Sequence, residues 1–116
     1  MRHLSKLIFA SALSAGCATA VPQAKIDGTQ KAIASAETSV GSQGGAAADR
    51  LAAAKQEFEQ AMAMSKAGNN NDAVQMLAKA EADAKLAGAL GAEGNTRAQL
   101  AAVNDQIQTL KTQLGK

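Results

Sequence analysis

Aromatic side chains are nearly missing from this chain, which has no Trp, no Tyr and two Phe among its 116 residues. Large-side-chain burial of the kind that dominates most cores is therefore scarce. There is one His and one Cys, His3 and Cys17, both near the amino terminus. Beyond them no Ser-His-Asp or Cys-His set and no His or Cys metal site can be assembled. Carboxylates are present, but Glu57 and Glu59, like Glu81 and Asp83, stand two apart. On a helix such pairs diverge instead of converging, and they read as solvated helix residues. Gly88, Gly91 and Gly94 follow no strand and precede no Lys-Ser or Lys-Thr, so they do not form a phosphate-cradling loop. Met62, Met64 and Met76 read as gap-filling apolar residues at helical spacing, not as a soft-metal site. The sequence predicts no enzymatic activity, no cofactor and no metal.

What is present starts with an export signal. Arg2 and Lys6 precede the apolar run Leu7-Ile8-Phe9-Ala10-Ser11-Ala12-Leu13, and small residues follow it. That run is far shorter than the roughly 20 residues a helix needs to span a bilayer. Ala15-Gly16-Cys17 resembles a bacterial lipobox, with Ser14 where Leu is usual and Leu13 one place further out. Ala18-Thr19-Ala20 offers an ordinary signal-peptidase site. An unpaired thiol is a liability in an oxidising compartment unless it is modified. The expectation is a lipoprotein-type signal over residues 1–16 with Cys17 acylated, and the alternative is cleavage after residue 20. Several acyl chains anchor stably where one is marginal. Ala18 is not the Asp that commonly retains lipoproteins at the inner membrane, so the resemblance implies the outer membrane, facing the periplasm. The alternative location is the soluble periplasm.

Charge adds an exclusion. The whole chain carries 12 basic and 10 acidic residues, but Arg2 and Lys6 belong to the signal, leaving ten against ten. A nucleic-acid surface needs a basic stripe, and none is left.

The mature chain has about 100 residues, enough for one small domain. Alanine makes up roughly a quarter of it, which favours helix while burying little area per residue. Residues 22–40 form a first, weaker helical segment, with Ile26, Ile33, Ala36 and Val40 on one face. Gly41-Ser42-Gln43-Gly44-Gly45 ends it. From Ala46 to about Ala67, the residues Ala47, Leu51, Ala54, Phe58, Ala61 and Ser65 step by four and three along a single seam. Gly68 and the asparagines after it stop this helix, with Asn71 or Asp72 capping the next. That helix carries Leu77, Ala80, Ala84 and Ala87 in the same rhythm and folds back antiparallel.

Gly88, Gly91 and Gly94 then either weaken one long helix or break it, and Thr96-x-x-Gln99 reads as a capping box that favours a restart. Leu100, Val103, Ile107, Leu110 and Leu114 keep a/d spacing over two heptads, with mostly uncharged flanks. Such an end docks on the body of the chain, on a second copy or on a partner helix.

The segment from Pro22 to Gly91 resembles the bacterial envelope-protein family described as domain of unknown function 4398. The matching residues are Leu51 to Lys55, Phe58, Ala61, Ala67-Gly68, Ala73, and the run Leu77-Ala78-Lys79-Ala80-Glu81-Ala82-Asp83-Ala84-Lys85-Leu86-Ala87. Family members commonly carry Arg where Lys85 stands, and a Pro at the start of the second helix that is missing here. The resemblance implies three helices, the last projecting outward.

The resulting expectation is an all-α chain: an Ala-rich helical domain over 22–91 and an extended, coiled-coil-like C-terminal amphipathic helix over 95–116. Its function would be that of a lipid-anchored envelope scaffold or adaptor. The membrane would be engaged through acylated Cys17, and a second copy or an envelope protein through the C-terminal helix. The candidate interaction seam comprises Leu51, Phe58, Leu77, Leu100, Val103, Ile107, Leu110 and Leu114. The alternative function is a soluble periplasmic carrier of an apolar ligand held between the helices.

Overall fold

A computed structural model describes residues 19–115. Cys17 and the expected signal lie outside the described residues. The fold is all-α, three helices in the order α1 (Gln23–Val40), α2 (Ala46–Lys66) and α3 (Asn70–Leu114). Pro22 stands at the N-cap of α1 in an extended conformation, where its missing N–H costs nothing. Between α2 and α3 the chain reverses in a Schellman turn. The Asn69 N–H donates to the Met64 carbonyl at 2.9 Å and the Gly68 N–H to the Ser65 carbonyl at 3.1 Å. Gly68 sits at φ +85°, which a side chain would resist. The turn is so tight that α3 begins at Asn70 after an N-cap at Asn69 with no side-chain cap. Neither Asn71 nor Asp72 caps it, contrary to the sequence reading.

α2 runs antiparallel to both neighbours. Arg50 pairs with Asp83 and Glu57 with Lys79 across α2 and α3, and Lys55 reaches Glu37 on α1. α1 and α3 run parallel: Thr29 meets Leu77, and the glycines at 88 and 91 lie against Ala36 and Ser39. α3 is the common wall, since α1 and α2 touch it far more than each other.

The core is made of small residues. Ala36, Val40, Ala47, Ala54, Ala61, Ala73, Leu77, Ala80, Ala84 and Ala87 are its buried apolar members. Leu77 and Thr29 are the largest side chains fully shielded from solvent, each at most 1% exposed. Alanine on facing helices brings the axes close, so packing replaces large-side-chain burial.

The expected restart near Thr96 does not occur. α3 is one helix of 45 residues, about 67 Å at roughly 1.5 Å per residue. The Thr96 hydroxyl donates to the Ala92 carbonyl within that helix, so it caps nothing. The glycines do not break α3 because they serve close packing. A Cβ built on Gly91 would lie 2.6 Å from the Ser39 carbonyl oxygen and 2.8 Å from the Val40 nitrogen. Only a bare Cα lets α1 approach α3 there, and the contact supports the helix where propensity alone would weaken it.

Candidate interaction site

α1 ends and α2 begins beside Gly91 to Asn95, and α3 continues beyond them. A polar clasp marks the exit. The Gln43 side-chain amide donates to the Gly91 carbonyl at 3.1 Å and to Asn95 Oδ1 at 2.5 Å. Asn95 Nδ2 donates in turn to the Ser39 carbonyl at 3.0 Å. The α1–α2 turn is thereby tied to α3 at the point where α3 leaves the bundle.

Every residue from 95 to 115 is exposed. Leu100, Val103, Ile107, Leu110 and Leu114 therefore stand in solvent, between 42% and 86% exposed. Among the described residues Leu86, on the flank of the bundle, is the other exposed large apolar side chain. The five share one face of the projecting helix. At about 100° per residue, that face lies roughly 140° around α3 from the face that Ala73, Leu77, Ala80, Ala84, Ala87 and Gly91 turn to the bundle. The stripe does not continue the bundle seam, and it is not docked on the body of the chain.

The other expected seam residues separate from it. Leu77 is core. Leu51 is half-buried and packs on the core cluster. Phe58, also half-buried, lines an open groove between α1 and α2 with Ile33, Ala34 and Lys55. Leu77 and Leu51 belong to the packing of the bundle and Phe58 to the α1–α2 groove, so the eight residues do not form one surface.

Ion pairs frame the helices. Lys25 lies 3.6 Å from Glu81, and Arg50 lies 3.2 Å from Asp83. Glu81 thus faces α1 while Asp83 faces α2, as two-residue spacing on a helix requires. The Lys85 ammonium, hydrogen-bonded at 2.6 Å, holds the Glu81 carboxyl below its ordinary range, with Lys25 adding to the effect. Glu57 departs from the expected solvated residue: it is buried and paired with Lys79, and its Oε2 has no hydrogen-bond partner. Close α2–α3 packing over Ala54 and Ala61 draws the neighbouring position 57 inward, and the cation of Lys79 accompanies it. The hydrogen bond from Lys79 to Glu57 and the charge of that carboxylate raise the Lys79 pKa.

Sequence reasoning missed the clasp residues Gln43 and Asn95, the buried Thr29 and the packing role of Gly91. For Gly91 a signal was present: 77, 80, 84, 87, 91 and 94 are one unbroken four-three series, and the glycines occupy its last two places.

Open grooves run along the bundle between its helices. One of about 500 Å³ lies between α1 and α3 and is walled by small residues such as Gly28, Ala32, Ser35 and Gly88 with Lys31 and Lys85 at its edge. Met64 and Met76, both half-buried, line another at the α2–α3 turn end. Among the described residues no three His, Cys, Asp or Glu side chains are grouped to hold a metal ion. No described helix is long and apolar enough to cross a membrane. No family model, no curated protein and no solved structure matches this chain.

Proposed function

We propose that this protein is a non-enzymatic, exported helical scaffold of the bacterial cell envelope, anchored through acylated Cys17, that acts by contact through the projecting end of α3. The observation that carries the reading is the stripe of five large aliphatic residues left in solvent on a helix that a rigid bundle holds out. A chain short of large apolar residues leaves five of them on this stripe, outside its core. Exposed aliphatic residues aligned at a/d spacing are what a partner helix buries. The leader supports export and anchoring, and Ala18, next to Cys17, supports the outer membrane. The three-helix order with an outward last helix agrees with what the resemblance to domain of unknown function 4398 implies.

A carrier needs an enclosed apolar cavity, and grooves walled by alanine, serine and glycine give that reading no support of their own. Photo-crosslinking in cells tests the contact reading, with the reactive residue placed at Val103 on the stripe or at Asp105 on the opposite face. Adducts from Val103 in the membrane fraction and none from Asp105 are expected. Equal yields from both, or none from Val103, would refute it. Intact mass tests the anchor: a chain starting at Cys17 with added acyl mass is expected, and an unmodified chain starting at Val21 would remove it.

A further inference from the structure

We propose that the partner of the stripe is a second copy of this chain, its α3 lying parallel and in register against the first over residues 100–114. This rests on the contact reading above and names the partner.

Three observations converge on it. The first is area. The five side chains, 42% to 86% exposed, present on the order of 500 Å² per copy, and two copies would bury on the order of 1,000 Å² with their flanks, about the threshold for a specific interface. The second is charge. In a parallel pair the residues that meet across the seam are Gln99 with Asn104 and Gln106 with Lys111, so no like charges confront each other. An antiparallel pair centred on Ile107 would set Asn104 against Lys111, equally free of like charge, so the parallel direction is chosen by the shared anchored end of the two chains. The third is clearance. The stripe faces roughly 140° away from the bundle side of α3, so the two bundles lie on the outer sides of the paired helices and do not collide. The parallel arrangement also places both α1 starts at the same end, which suits two copies anchored in one membrane.

The test uses the full chain recovered from cells in mild detergent, with its mass measured by sedimentation. Twice the chain mass is expected for the unaltered protein. The double variant Ile107→Glu/Leu110→Glu should have a single chain mass and an unchanged helical spectrum. A single mass for the unaltered protein up to its solubility limit, or a double mass retained by the variant, would overturn the proposal. Register is read separately by oxidising the Leu114→Cys and Asp105→Cys chains, against the unaltered chain as baseline. In-register parallel pairing puts the two 114 positions within disulfide reach, so Leu114→Cys should gain a dimer band and Asp105→Cys should not. Failure of Leu114→Cys to cross-link, or equal cross-linking by both, would overturn the parallel register. If the Val103 adducts identify a different protein while the purified chain sediments as one copy, the contact reading stands and self-pairing falls.

Discussion

Replacing Gly91 by Ala separates two opposing effects at one position. In an exposed helix interior, Gly→Ala stabilises by about 1 kcal/mol through backbone entropy. At Gly91 the new methyl would meet the Ser39 carbonyl oxygen at 2.6 Å, its carbon at 2.7 Å and the Val40 nitrogen at 2.8 Å, all backbone atoms that cannot rotate away. Overpacking of this kind costs about 1–3 kcal/mol, so the net change is destabilisation of up to about 2 kcal/mol once the helix gain of is deducted. Gly88 provides the internal control. Its added methyl would lie 3.7 Å from the Ala36 Cα, an ordinary contact, so Gly88→Ala should keep the full gain of about 1 kcal/mol. At Gly94 the methyl meets the Gln43 side chain, which can swing aside at the expense of the clasp. Gly94→Ala should fall between the other two. Urea denaturation followed by far-ultraviolet circular dichroism reads the order 88 above 94 above 91, with an unchanged slope. Gly91→Ala as stabilising as Gly88→Ala would refute the close approach of α1 to α3.

Further outcomes follow from the same packing. Leu77→Ala empties the largest apolar site of the core and should cost about 2–5 kcal/mol, a large part of what a domain of this size has; a loss well under that range would mean the core is looser than described. Ile107→Glu/Leu110→Glu in dilute solution should change stability by no more than about 0.5 kcal/mol, since both side chains stand in solvent; unfolding would place the stripe inside the chain. The Glu81 carboxyl is held below its ordinary value of 4.5 by Lys85 and Lys25. Between the folded value and 4.5 the unfolded chain therefore binds more protons, so this contribution is complete above 4.5 and is lost as pH falls through the folded value. Glu81→Gln should flatten the acid side of the stability profile by lowering stability slightly at neutral pH and leaving it almost unchanged below the folded value, and an unaltered acid limb would argue against the pairing.

Helix order and most boundaries were legible in the sequence because each rests on a local signal. Gly41 to Gly45 ends α1, Gly68 reverses the chain, and the four-three rhythm of Ala47, Ala54 and Ala61 marks the inner face of α2. The stripe from Leu100 to Leu114 was legible for the same reason. Failures came where tertiary contact overrides local preference. Gly91 has the lowest helix propensity short of proline, yet it continues α3 because α1 presses against it. Thr96 with Gln99 satisfies a capping pattern, but a helix already running through Thr96 leaves no free N–H groups for it to cap. Glu57 is polar and sits beside the Ala seam, and only the closeness of two alanine-lined helices shows that it is buried. The grouping of Leu51, Phe58 and Leu77 with the C-terminal stripe failed because one-dimensional periodicity carries no record of which face a neighbouring helix covers.

The most direct measurement is the distance between spin labels at Gln75 and Gln113, both exposed on α3, in protein diluted with unlabelled copies. A continuous helix that holds the stripe clear of the bundle predicts a narrow distribution near about 57 Å at roughly 1.5 Å per residue. A broad distribution, or one centred at about half that distance, would mean that α3 bends at its glycines and lays the stripe back on the body, contradicting the account.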